Sequence, residues 1–272
     1  MTYYELLRKY RLEAQKTGKE KEAIDFLVLN SLNLSKAELI LKYSESVINE
    51  GSLINLFQDY LYNNIPVQYI IGHTYFYGLK FKVNKHVLIP RFDSEILIEC
   101  IFKNLDLNKN YTILDIGTGS GALSIVIKKY FPNTIIDAID ISSKAIELAK
   151  ENSKINNVDI NFYESDIFSN INKKYDIVIS NPPYISVDEE LSPEVKQEPH
   201  IALYANNNGL YFYEEILKNI NKYLNKNFYV FLEIGYTQAN EIKKIIKKRL
   251  GIDAEVVKDL QGLDRVIIIK EE

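Results

Sequence analysis

Among its 272 residues the chain has a single cysteine, Cys100, which excludes an internal disulfide and fits a reducing cytoplasm. Its three histidines, His73, His86 and His200, are scattered, so no metal-ligand spacing is visible and no metal is expected. No stretch reaches the ~18 uncharged apolar residues of a membrane helix. The start, Met1-Thr2-Tyr3-Tyr4-Glu5, has neither a basic lead nor a signal-like apolar run. Positive charge is not in excess: 33 Lys and Arg stand against 37 Asp and Glu, a formal charge of −4. That gives no overall pull toward nucleic acid, and Lys244, Lys247 and Lys248 read as a solvated helix face. Internal repeats, low-complexity segments and the dinucleotide fingerprint G-x-G-x-x-G are all absent. The hydrophobic content of 46% is ample for a core. At ~150 residues per domain the length suggests two domains.

What is present concentrates in the second half. Tyr175-Asp176-Ile177-Val178-Ile179-Ser180 is the most apolar strand pattern, and Asn181-Pro182-Pro183-Tyr184 closes it. Asn-Pro also starts ordinary turns. Here, however, the Asn181 side-chain oxygen and the Pro182 carbonyl can both accept from an NH2 group. Pro182 and Pro183 fix φ and remove donors, so the turn offers acceptors on a stiff backbone. The Tyr184 ring can lie flat on an amide or a base. Such a tetrapeptide suits the NH2 of a planar conjugated group, held with its nitrogen toward a reagent.

Tyr111 to Asp115 reads as a short buried strand, followed by Ile116-Gly117-Thr118-Gly119-Ser120-Gly121 and a helical stretch from Ala122 to Lys129. Strand, glycine loop and helix form the first unit of a nucleotide-binding α/β fold. Glycines let backbone approach a ligand, and the helix start supplies N–H donors for its carboxylate. An acid followed by G-x-G-x-G points to S-adenosylmethionine. Thr134 to Asp140 is a second strand ending in an acid, near the ~20-residue offset at which a carboxylate takes a ribose diol. Ser142 or Ser143 then N-caps a helix through Ala145, Ile146, Leu148 and Ala149. Asn161 to Phe168 is a third strand with its exit loop, where Asp166 can accept from an adenine amino group and Phe168 can cover the ring. Asp115, Asp140 and Asp166 thus close three successive strands, whose carboxyl ends form the ligand crevice of an open sheet.

Further on, Asn227 to Gly235 is a buried strand and a helix runs from Thr237 to Gly251. Asp253 to Asp259 and Arg265 to Lys270 are strands whose short connection suits an antiparallel pair. Glu233 reads as a strand-end acid without a role. Residues 1–65 differ in character: Tyr3–Gln15, Lys21–Leu32, Ser35–Tyr43 and Ser52–Tyr62 show apolar residues at helical spacing. Leu6, Leu7 and Tyr10 form one stripe, and Ile24, Leu27, Val28 and Ser31 another. A helical bundle of this kind serves either to bury its own stripes or also to dock a partner protein. Residues 66–90 read as a hairpin linker, with strands at Tyr69–Tyr77 and Leu79–Val83 flanking Gly78, and residues 91–272 as the catalytic domain.

From about Gln68 onward the chain resembles the HemK/PrmC family, N5-glutamine methyltransferases that modify peptide chain release factors. The resemblance lies in Pro66 to Gly72, Ile89-Pro90-Arg91-Phe92-Asp93-Ser94-Glu95, Asp115 to Gly121, Asn181 to Tyr184, Glu198-Pro199-His200-Ile201-Ala202-Leu203 and Gly262 to Val266, in order. Phe92 stands where the family often has Pro, Ser120 where Thr is common, and Phe168 where some members carry Trp. The resemblance implies a Rossmann-like class I methyltransferase sheet with an antiparallel C-terminal edge, preceded by a small helical domain. It implies S-adenosyl-L-methionine as methyl donor, S-adenosyl-L-homocysteine as product, and the glutamine of a Gly-Gly-Gln loop in class-1 release factors as acceptor. Asp115, Gly117, Thr118, Gly119, Ser120, Gly121, Asp140, Asp166, Phe168 and Asn181 are then expected at the cofactor. Asn181, Pro182, Pro183 and Tyr184 are expected at the substrate, with Asn181, Pro182 and Tyr184 carrying the chemistry. Arg91 and Glu95 are expected to fold over cofactor or substrate. An adenine-N6 methyltransferase would use the same acceptor motif on a flipped base. It would also be expected to carry a basic groove or recognition domain, and neither is clear here. A catalytically idle binding scaffold is the other alternative, though ligand binding alone does not need Asn181 to Tyr184.

Overall fold

The computed structural model describes residues 1–106 and 108–271. They form two compact units, residues 1–73 with 191–197, and residues 74–190 with 198–272.

The first unit is helical: α1 (Tyr3–Lys16), α2 (Glu22–Ser31), α3 (Lys36–Leu41), α4 (Glu50–Leu61) and α5 (Val67–Ile71). Thr2 and Glu5 form a capping box at α1, as do Ser35 and Glu38 at α3, satisfying N–H groups the helices cannot. Leu6, Leu7, Tyr10, Ile24, Leu27 and Val28 are buried together with Leu53 and Phe57, whereas Ser31 is exposed and lies outside the stripe. The expected strand at Tyr69–Ile71 is instead α5. Ile70 and Ile71 pack on the helical core, and Gly72 (φ 77°) ends the turn. The helical unit therefore extends past residue 65, and residues 66–90 are not one linker. The hairpin is confined to β1 (His73–Phe76) and β2 (Leu79–Lys82). Tyr77 (φ 48°) and Gly78 (φ 74°) turn it with both central residues left-handed, as a primed turn requires.

The second unit continues with α6 (Glu95–Asn104), β3 (Thr112–Ile116), α7 (Ala122–Tyr130), β4 (Ile135–Asp140), α8 (Ser143–Ile155), β5 (Asn161–Glu164) and β6 (Tyr175–Ser180). After them come β7 (Ile185–Ser186), α9 (His200–Leu203), β8 (Tyr204–Ala205), α10 (Tyr211–Asn219), β9 (Leu224–Glu233), α11 (Ala239–Leu250), β10 (Glu255–Lys258) and β11 (Asp264–Lys270). The seven-stranded sheet has the order β10-β11-β9-β6-β3-β4-β5. β9, β6, β3, β4 and β5 are parallel, and β11 is antiparallel to both β9 and β10. Continuous apolar strands such as Ile113-Leu114 and Ile177-Val178-Ile179 are buried on both faces, the pattern of a parallel sheet covered by helices. α6, α7 and α8 cover one face, and α10 and α11 the other. From β3 the chain proceeds outward to β4 and β5, then returns to β6 on the other side of β3. That reversal opens a crevice at the carboxyl ends of β3 and β6, where such sheets bind ligands. No described helix is long and apolar enough to cross a membrane.

Candidate active site

A cleft lies across the carboxyl ends of β3, β4, β5 and β6, and the glycine loop forms its floor. Gly117 N and Thr118 N both donate to Ile139 O at 2.9 Å, which draws the loop over β4. Gly117 (φ 73°) and Gly119 (φ 55°) adopt left-handed backbone, and a Cβ at either would meet nothing within 4 Å. Open space over the two glycines is what a ligand lying on this backbone needs. Asp140 holds the other side: its Oδ2 accepts from Gly119 N and its Oδ1 from Ser142 N, each at 2.9 Å. Each oxygen keeps a further lone pair for the cleft. Burial raises the Asp140 pKa, and the hydrogen bonds from Ser142 and Gly119 work against that rise. Ser142 also N-caps α8 by accepting from Ala145 N, as the sequence indicates.

Two expected cofactor residues stand behind this surface. Asp115 is fully buried; its Oδ2 accepts from Thr118 Oγ1 at 2.7 Å and Ser124 Oγ at 2.6 Å, and its Oδ1 has no partner. Burial pushes its pKa up to about 6. It braces the loop from beneath, while Thr118 and Ser120 line the cleft. Gly121 (φ 82°) precedes α7, and a Cβ there would approach Ile125 Cδ1 to 3.0 Å and Ala149 Cβ to 3.2 Å. Its smallness serves helix packing.

Beyond β5, Asp166 is exposed on the cleft wall. Phe168 is not at the cleft. It is buried and stacks on Tyr223, ring centroids 4.3 Å apart and 7° from parallel. Ile167 lines the cleft in its place, at φ 46°, an unusual conformation for a β-branched residue. The Ser165 hydroxyl donates to Ile167 O at 3.1 Å and accepts from Asn170 N at 3.1 Å, holding a tight turn that inverts which side chain faces in. Strand alternation does not carry through such a turn.

The Asn181 motif stands at the end of β6, beside β3, where Ser180 Oγ donates to Ile116 O at 2.7 Å. Asn181, Pro182 and Pro183 all line the cleft. Asn181 Nδ2 donates to Ser94 Oγ at 3.2 Å, so Oδ1 is the amide atom left for a ligand. Tyr184 instead belongs to the support. Its carbonyl accepts from Gln238 Nε2 at 2.9 Å, and Gln238 Oε1 accepts from Gly235 N at 3.0 Å. Burial, with the Glu233 charge next, raises the Tyr184 hydroxyl well above its ordinary pKa, so it stays protonated.

Of the segment before α6, Arg91 and Ser94 reach the cleft. Arg91 pairs with the buried carboxylate of Glu198, which also accepts from Ile89 N at 2.9 Å. Glu95 is turned to the hairpin, where it accepts from Tyr77 N at 2.8 Å, and Phe92 is 79% exposed. Two residues escaped the sequence reading. Ser94 sits inside the Arg91 motif without a charge to flag it. Glu233 is 1% exposed and near enough to Asn181 to feel its amide. An acid closing β9, the strand beside β6, was the available signal.

The Methyltransferase small domain family matches residues 92–198, which carry the glycine loop, Asp140 and the Asn181 motif. A methyltransferase of known crystal structure from Pyrococcus furiosus superposes with a TM-score of 0.56 at 20% identity, covering 72% of this chain and 90% of that one. A release factor glutamine methyltransferase of Streptococcus pneumoniae is 36% identical over 100% of this chain and 99% of its own length. One from Bacillus cereus is 33% identical over the whole of both chains. At that identity and over that span, the chain belongs to the release factor glutamine methyltransferase family.

Proposed function

We propose that this chain transfers a methyl group from S-adenosyl-L-methionine to the side-chain amide nitrogen (N5) of the glutamine in the Gly-Gly-Gln loop of class-1 peptide chain release factors. The observation that carries the reading is the placement of Asn181 and Pro182 in one cleft with Asp140 and the open backbone of Gly117 and Gly119. Asp140 is suited to a ribose diol, and Asp166 and Ile167 to the edge and face of adenine. Thr118 and Ser120, which line the cleft at the glycine loop, serve the amino-acid end. Bound there, S-adenosyl-L-methionine supplies an electrophilic methyl and leaves as S-adenosyl-L-homocysteine.

The chain's own task is to make a poor nucleophile reactive. An amide lone pair is delocalised into its carbonyl. Asn181 Oδ1 and the Pro182 carbonyl accept its two N–H bonds and turn the lone pair toward the methyl. The same acceptors stabilise positive charge as it develops on nitrogen, which is electrostatic stabilisation of the transition state. Holding nitrogen and methyl in line at ~3 to 3.5 Å contributes several kcal/mol more. No base need act before transfer: the methylated nitrogen is briefly cationic and strongly acidic, and gives up one of its two protons to water afterwards. The membership of the family supports glutamine over adenine, since the acceptor pair alone serves either. The substrate and the single cysteine favour a cytoplasmic site of action, with no stable nucleic-acid partner.

The test is methyl transfer from labelled S-adenosylmethionine to a purified class-1 release factor, beside duplex DNA and transfer RNA. Label is expected on the Gly-Gly-Gln glutamine and abolished by its replacement with alanine. Label on adenine with none on the factor would overturn the reading.

A further inference from the structure

Asn181 can do its work only if its carboxamide is presented the right way round. Oxygen and nitrogen of an amide have nearly the same shape, and only hydrogen-bond partners choose between the two orientations. Ser94, the partner of Nδ2, cannot choose alone, because a hydroxyl can accept from Nδ2 or donate to Oδ1 equally well. The choice falls to whatever takes the Ser94 proton. Glu233 closes β9 directly after Leu232, the register partner of Ser180, so it stands beside Asn181 on the neighbouring strand, where the side chains of Ser94 and Asn181 both favour its charged form. It is 1% exposed, and its Oε2 is buried without a hydrogen-bond partner. A carboxylate only accepts, so it draws the Ser94 proton and leaves Ser94 to accept from Asn181.

We propose that Glu233, acting through Ser94, is the positioning residue that fixes the Asn181 carboxamide with Nδ2 turned into the protein and Oδ1 turned to the cleft. The inference rests on the reading of Asn181 as acceptor for the substrate amide. A protonated Glu233 would lose this power, since its own O–H could turn Ser94 around. The groups facing it set when that happens. Arg265 from β11 favours the charged form and Asp93 opposes it, while the hydroxyls of Tyr184 and Tyr213 approach from the turn after β6 and from α10. Burial dominates and pushes its pKa up to about 7.

Glu233→Gln keeps the shape and removes both the charge and the titration. The expected result is a fall of roughly tenfold in kcat for the release factor at pH 8, with the affinity for S-adenosylmethionine unchanged. The wild-type kcat should decline as pH drops through about 7, and the variant should lack that limb. In an Asn181→Ala background the same substitution should cost nothing further. Wild-type kcat and pH profile in Glu233→Gln, or an undiminished loss in the Asn181→Ala background, would overturn the assignment. A second readout needs no turnover: in protein labelled with 15N-asparagine, the Asn181 side-chain resonance, identified by its absence in Asn181→Ala, should titrate with pH in the wild type and not in Glu233→Gln. A resonance indifferent to both pH and the substitution overturns the inference. A titrating resonance in a wild type inactive on the factor upholds the positioning and sinks the proposed substrate.

Discussion

Asp140 spends one lone pair of each oxygen on a backbone N–H and still faces the cleft, so its geometry is set before any ligand arrives. Preset acceptors of this kind make the strong, charge-assisted hydrogen bonds, ~1.5 to 3 kcal/mol each. Asp140→Ala is therefore expected to weaken S-adenosylmethionine binding by roughly ten- to a hundredfold, measured by titration calorimetry. Unchanged affinity would remove Asp140 from the site. Asn181→Ala belongs to a different step. Loss of one transition-state acceptor costs on the order of 10² to 10³ in kcat, and its effect on cofactor affinity should be small. A residue's place at the cleft was legible where a motif fixed the backbone and a strand end fixed the direction, as at Gly117, Asp140 and Asn181. Phe168 and Ile167 show the limit. One left-handed residue, tied down by Ser165, exchanges their facings, and nothing in local composition announces it.

The strand ends work as elements because a second layer clamps them. Gln238, the N-cap of α11, binds Tyr184 O, Asn208 O and Gly235 N, tying the turn after β6 to the end of β9 and to the loop before α10. Gly209 (φ 80°) completes the knot, and a Cβ there would fall 2.0 Å from Tyr184 O and 2.5 Å from Gln238 Nε2. Gly209→Ala combines a left-handed strain with a collision against backbone that cannot swing away. A loss of about 3 kcal/mol or more is expected, from mechanisms that each cost 1 kcal/mol or more. Chemical denaturation should show it, with folding retained and the midpoint lowered; an unchanged midpoint would mean that the turn is loose. The strands themselves were readable from apolar runs, and the short connection of β10 to β11 fixed their antiparallel pairing. The role of Tyr184 was not readable, because it depends on Gln238, 54 residues away. The short helix α5 was misread as strand because Tyr69-Ile70-Ile71 is β-prone by composition, and packing on the helical core prevailed.

At the scale of the whole molecule, contacts distant in sequence decide both the unit boundaries and the response to pH. Residues 191–197 join the helical unit, where Glu194 pairs with Lys19, a partnership that no local pattern predicts. Three buried acids set opposing slopes of stability against pH. Asp137 loses solvation on burial, but Lys173, Tyr175 and Asn161 outweigh that loss and hold its pKa below the ordinary value. Its contribution is present above the carboxylate range and lost as pH falls. Glu233 and Asp115 run the other way, raised to about 7 and about 6. From 4.5 to about 7 for Glu233, and from 3.8 to about 6 for Asp115, the folded state holds a proton that the unfolded chain has released, so each contribution falls as pH rises through its window and stays flat above it. For Glu233, a rise from 4.5 to about 7 corresponds to roughly 3 kcal/mol at pH 8.

That slope yields the last prediction, which joins stability to function. Glu233→Gln should leave the melting temperature nearly unchanged at about pH 3.5, below the ordinary glutamate value of 4.5, where the carboxyl is neutral in both states. The variant should be the more stable protein at pH 8, by up to about 3 kcal/mol. Calorimetric melts of wild type and variant across that range give the difference directly. A gap that does not widen with pH would mean that the carboxylate is not held against its solvation. A gap that widens, together with the slower turnover expected of the same variant, identifies Glu233 as a charge kept in the core for Asn181. A buried acid with no such duty would yield stability from the substitution and leave turnover untouched.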